Sequence, residues 1–216
     1  MRQKLNIIGL VLPFIFLSCN TINEDVNPQQ NDEFSSLLEG IPLETLNDQE
    51  KASLIFMREE EKLARDVYDF LYENWSTKIF DNISNSEQSH MDAVLLLINR
   101  YDLEDPVAND QAGKFLNGEL QQLYDDLTAA GSTNTTEALS VGAAIEEIDI
   151  MDLETALGSY VDNQDIIVVY QNLAKGSRNH LRSFVKNLAS QGVNYEPQYL
   201  SLEEYNAIIN SDMERR

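Results

Sequence analysis

The chain has 216 residues, with 15 Lys and Arg against 37 Asp and Glu, two His and one Cys, and a formal net charge of −22. A charge of that sign and size repels phosphate backbones, and no run of Lys and Arg offsets it, so nucleic acid is excluded as a partner. One cysteine forms no internal disulfide and two histidines assemble no Cys/His zinc site, so any bound metal would draw most of its ligands from carboxylates.

At the amino terminus Arg2 and Lys4 precede an apolar run from Ile7 to Leu17, followed by Ser18 and Cys19. The run falls short of the ~20 residues that span a bilayer and reads as a secretory signal. Cys19, directly after Leu-Ser, resembles the lipobox of bacterial lipoproteins. That resemblance implies a signal over 1–18, lipidation at Cys19, and a mature protein exported and anchored to the cell envelope membrane; an ordinary signal peptide containing a cysteine is the alternative. Residues 19–46 hold no Lys, Arg or His and are rich in Asn, Gln, Asp and Glu, which predicts a flexible acidic tether with a short helix near Phe34–Leu38.

Asp48–Trp75 and Lys78–Tyr101 are long proline-free stretches joined by a short turn, predicting an antiparallel helix hairpin. A second pair is predicted over Thr136–Leu157 and Asn163–Ser190, with Asp162 as N-cap and Gly192 just past the end. Between the pairs, Asp102–Thr135 carries Pro106, several Gly and one helical pattern, GELQQLYDDLTAAG. A connection of that length lets the third long helix start at the end where the second began, the crossover of ferritin-like bundles. Ser201 and Glu204 form a capping box that opens a final short helix. The expected fold is all-α, a ferritin-like four-helix bundle over 47–192 with a C-terminal extension over 193–216.

Polar residues interrupt the apolar seams of these helices. In helix 1 the stripe Leu54, Met57, Glu61, Ala64, Tyr68, Leu71 alternates spacings of three and four and has Glu61 in an apolar position. Helix 2 gives Ile83, Glu87, His90, Val94, Leu97, with Glu87 and His90 one turn apart on one face. Helix 3 gives Leu139, Ala143, Glu146, Ile150, Leu153, and helix 4 gives Ile166, Leu173, His180, Phe184. Unpaired buried carboxylates cost several kcal/mol each, so four such intrusions point to a shared cation. Glu oxygens with imidazole nitrogen suit iron or manganese. Dimetal bundles use one Glu from each of two helices and Glu-x-x-His from each of the other two. Glu61, Glu146 and Glu87-Gln-Ser-His90 meet three of these requirements, whereas Ser177 stands three residues before His180 where a Glu is expected. Asp149, three residues after Glu146, is the compensating candidate. Asp152 lies near a second apolar line, and Glu147 ranks below Glu146 because it points away from both stripes.

The segments MREEEKLARDVYDFLYENW, SEQSHMDAVLLLINRY and GSRNHLRSF are similar to those of the family named domain of unknown function 2202, within the ferritin-like superfamily, over about Leu54 to Leu188. Helix 1 also resembles that of rubrerythrin-type proteins, whose first ligand helix reads Glu-x-x-Ala-Arg-x-x-Tyr, here Glu61, Ala64, Arg65 and Tyr68. Their third-helix Glu-x-x-Glu falls on Glu146 and Asp149. The resemblance implies a ferritin-like bundle with dimetal ligation and supplies no activity.

The first functional expectation is therefore an envelope-anchored protein in which Glu61, Glu87, His90, Glu146, Asp149 and His180 hold a pair of Fe or Mn ions for oxygen or peroxide redox chemistry, with Tyr68 as a nearby hydroxyl or a plain core residue. The alternative is a non-enzymatic envelope lipoprotein, a binding or spacer module whose seam carboxylates pair with Arg65, Arg178 or Arg182. A third reading is an extracytoplasmic metal scavenger that uses its acidic surface.

Overall fold

The computed structural model describes residues 34–215. The expected signal, the expected lipidation at Cys19 and the first part of the expected tether lie outside the described residues. Within them every regular element is helical.

Asn47 starts α1 (Asp48–Trp75): its side chain accepts the Gln49 and Glu50 N–H groups while Glu50 accepts the Asn47 N–H, so the free donors of the first turn are met reciprocally. The helix stops where Ser76 adopts a left-handed φ of 51° and its N–H returns to Tyr72. Two residues later α2 (Lys78–Arg100) begins and packs back along α1. Asn117 caps α3 (Gly118–Gly131) and Asn134 caps α4 (Thr135–Ser159). α5 (Gln164–Ser190) packs along α4, and the Ser201/Glu204 box opens α6 (Leu202–Ile209). Residues 34–37 form one further helical turn. No described helix is long and apolar enough to cross a membrane.

One cap differs from the sequence expectation. Asn163, not Asp162, occupies the N-cap of α5, and its side chain makes no capping bond. The carboxylate of Glu50, from α1, instead fixes the approach to the helix, accepting the N–H groups of Asp162 and Asn163 at 3.0 Å each.

Contacts at the helix ends set the directions. The Trp75 indole donates to the Gly131 carbonyl at 2.8 Å, and the Asn47 side chain donates to Tyr160 at 3.2 Å, so α1 and α4 run antiparallel. Arg100 at the end of α2 meets Asp165 at the start of α5. The 101–134 connection therefore carries the chain back to the end where α2 began. It is tied down on α1: Arg58 pairs with Asp105, Glu59 accepts the Leu116 N–H, and Lys62 donates to the Gln111 carbonyl and lies over the Phe115 ring. Arg58, Glu59 and Lys62 are consequently buried, and with Glu60 and Glu61 facing other helices the whole run is inaccessible.

The apolar interior is divided. One cluster holds Tyr68, Phe80, Leu139 and Phe184, and a second holds Leu54, Leu97, Leu153 and Tyr170. Side chains of this kind each stabilise by about 1.5–3 kcal/mol when fully buried. On α1, α2 and α5 the polar seam positions lie between the two clusters, and on α4 Glu146 lies within the first.

Candidate metal centre

α1 contributes Glu61, α2 contributes Glu87 and His90, α4 contributes Glu146 and α5 contributes His180. Their positions on the seam turn all five inward, and the three carboxylates are completely buried. Two groups result, Glu61–Glu87–His90 and Glu87–Glu146–His180, each with one ligand atom per residue inside a span of 4.8 Å. Glu87 belongs to both. Its Oε2 lies 2.6 Å from His90 Nδ1 and its Oε1 lies 2.9 Å from His180 Nδ1. Glu61 stands 3.2 Å from His90 Nδ1, and Glu146 stands 3.4 Å from His180 Nδ1.

These contacts are close but mostly ill-directed as hydrogen bonds. Both oxygens of Glu87, one each of Glu61 and Glu146, and His180 Nδ1 are buried without an aligned partner. A buried polar atom left unsatisfied costs about 1–3 kcal/mol, more when charged. Lone pairs gathered around a common point, instead of aimed at one another's protons, fit a cation, and the carboxylate-imidazole set suits Fe or Mn.

Neighbouring positions divide clearly. The Tyr68 hydroxyl donates to Glu146 Oε1 at 2.5 Å and is fully buried. Asp149 is buried with one oxygen unpartnered, but lies in neither group. Ser177 is buried and its hydroxyl donates to the Leu173 carbonyl at 3.2 Å, so it is committed to its own helix. Gly176 is required here: a Cβ would sit 2.6 Å from His90 Nε2. Glu147 is equally buried but faces the C-terminal extension, accepting from the Tyr195 hydroxyl and the N–H groups of Gln198, Tyr199 and Leu200.

The arginines do not serve the seam. Arg65 pairs with Asp66 and Asp110, Arg178 with Glu214 and Glu154, and Arg182 with Glu214. This corrects the expectation that any of them neutralises the seam carboxylates, because each guanidinium is held at the outer side of its helix. Glu60 escaped the sequence reading. It is buried with both oxygens unpartnered and lies beside Asp152, yet on a helical wheel it is one more Glu in a charged run.

Without a metal the cluster stores protons. Burial raises the carboxyl of Glu61, and burial moves Glu146 up to about 7. Burial, with Glu61 and Glu60 nearby, holds Asp149 well above its usual range. Burial opposes charging the histidines, but Glu87 and Glu146 outweigh it and take His180 to about 10; Glu87 and Glu61 likewise raise His90. Glu87 goes the other way, since the two imidazoliums overcome its burial and hold it far below the carboxylate range.

A family model described as an uncharacterized protein domain, DUF2202, matches residues 50–212. The chain belongs to this family. Its DUF2202 region contains all of the clustered residues. The chain is 51% identical over 178 residues to the uncharacterized protein MJ0754 of Methanocaldococcus jannaschii, covering 82% of this chain and 96% of that one. A crystal structure titled as the hypothetical protein MJ0754 superposes with a TM-score of 0.78 at 52% identity, covering 80% of this chain and 98% of the other.

Proposed function

We propose that the chain is a ferritin-like four-helix bundle, built from α1, α2, α4 and α5 with 101–134 as its crossover, whose seam holds a dinuclear iron or manganese centre. The observation that carries this reading is the pair of buried Glu/Glu/His groups sharing Glu87, with no Lys or Arg partner among the described residues. Glu87 would bridge, Glu61 and His90 would complete one side, and Glu146 and His180 the other. Asp149, one turn beyond Glu146, would supply the carboxylate that Ser177 does not. When bound, such a centre supplies redox chemistry toward dioxygen or peroxide. Tyr68 would fix the orientation of Glu146 and keep a proton at the edge of the site, while Phe80 and Phe184 pack beside it and exclude water. In this reading 1–18 is a signal, Cys19 carries a lipid anchor to the cell envelope, and 19–46 is a tether.

Metal analysis of the protein and of a Glu87→Ala/His90→Ala variant tests the centre. The expected result is close to two Fe or Mn per chain in the first and a loss of more than about 100-fold in affinity in the second. Substoichiometric metal in both, with unchanged stability, would sink the reading.

A further inference from the structure

A cavity of about 170 Å³ opens above the two histidines, with His90 and His180 on its floor, Lys175 and Asn179 on one wall, and Phe34 and Glu214 at its rim. That volume suits a molecule of about benzene size. In a chain with a net charge of −22, three cations, Lys175, Arg178 and Arg182, fall within eight residues of α5. Lys175 lines the cavity directly, and the two arginines reach it through Glu214, which lines it and which both of them bind.

The protein already shows what the cationic rim recognises. Glu214 is half-buried in an otherwise exposed tail, gripped by Arg178 through Nε at 2.8 Å and Nη2 at 2.6 Å and by Arg182 at 3.1 Å. The Asn179 side chain exchanges two further bonds with the Glu214 backbone, at 2.9 and 3.0 Å. A two-pronged guanidinium contact of this kind is selective for carboxylates and phosphates. Lys175 borders both the cavity and the adjoining cleft that Arg178 lines. Its ammonium donates to the neutral Asn172 side chain at 2.8 Å and meets no carboxylate among the described residues. The rim thus holds a carboxylate grip filled by a residue near the end of the chain, and a second cation with no charged partner among the described residues.

We propose that this cavity binds a small organic dicarboxylate, one end taken by Arg178 and Arg182 in place of Glu214 and the other by Lys175, above the floor formed by His90 and His180. The proposal rests on the cationic rim and does not require metal in the seam.

Succinate titrated calorimetrically into the metal-free full chain is the test. Glu214→Gln removes the internal competitor and should bind succinate about tenfold more tightly than the parent chain. Adding Arg178→Gln, or Lys175→Gln, to Glu214→Gln should abolish the heat while circular dichroism shows the helices retained. Should Arg178→Gln lose helix content, Lys175→Gln, whose partner is a single neutral side chain, decides. No succinate binding by folded Glu214→Gln, or binding that survives the Lys175 and Arg178 substitutions, overturns the proposal. Metal content should be unchanged in Glu214→Gln and succinate binding retained in Glu87→Ala, so the failure of one reading is distinguishable from the failure of the other.

Discussion

Glu146 and Glu147 are adjacent on α4 and equally inaccessible to solvent, yet they do opposite things. Glu147 receives the Tyr195 hydroxyl and three backbone N–H groups, so its charge is met and it fastens the C-terminal extension to the helix. Glu146 receives the Tyr68 hydroxyl on one oxygen and leaves the other facing His180 with no aligned donor. Burial alone therefore does not separate these two carboxylates; the donors that Glu147 has and Glu146 lacks do. Glu50 and Glu59 belong with Glu147, as clamps on backbone N–H groups, while Glu61 and Glu87 belong with Glu146.

The sharpest way to break this contrast is to truncate both. Glu146→Ala should lower metal affinity by more than about 100-fold and leave the metal-free protein as stable as before or more so, since an unmet buried group is gone. Glu147→Ala should cost about 3 kcal/mol in denaturant unfolding, because it orphans several buried donors, with metal content unchanged. Equal effects on both properties would erase the distinction.

A smaller effect is expected from pH. His180 moves from its ordinary 6.5 to about 10 and Glu146 from 4.5 to about 7, so both bind protons more tightly in the folded chain. Their contribution to stability is present at low pH and is lost as pH rises, from above 4.5 through about 7 for Glu146 and from above 6.5 through about 10 for His180. Glu87, shifted the other way, is already ionised throughout that window. The metal-free melting temperature should therefore fall between about pH 5 and pH 9, while metal affinity rises as ions replace protons. A metal-free melting temperature that climbs over the same window would contradict the proton storage described for the seam.

Much of this was legible in the sequence, for definable reasons. The capping box at Ser201 and the proline-free stretches are local signals, and the helices formed where they predict. The seam positions of Glu61, Glu87, His90, Glu146 and His180 follow from spacings of three and four, and the structure brings those five side chains together. What escaped depends on distant partners. Arg58, Glu59 and Lys62 are buried because 102–117 lies over them, Glu60 lies beside Asp152 of another helix, and Arg178 and Arg182 are taken up by a residue at the far end of the chain. Asn163 holds the N-cap position expected of Asp162, and Glu50, more than 100 residues earlier, accepts the N–H groups of both.

The smallest expected change separates orientation from ligation. Tyr68→Phe keeps the ring against Phe184 and removes the hydroxyl that donates to Glu146 and, at 3.2 Å, to the Gly142 carbonyl. It should weaken metal binding by about tenfold and alter stability by about 1 kcal/mol. An unchanged metal affinity would place Tyr68 with the purely apolar residues of its cluster.

Glu87 presents one oxygen to each histidine, so the two halves of the centre share a single rotamer. Filling one half would fix that rotamer for the other half as well. The second ion would then meet a shared carboxylate whose conformational entropy is already lost, and uptake would be cooperative, with a sigmoidal isotherm where two independent sites would give a hyperbola.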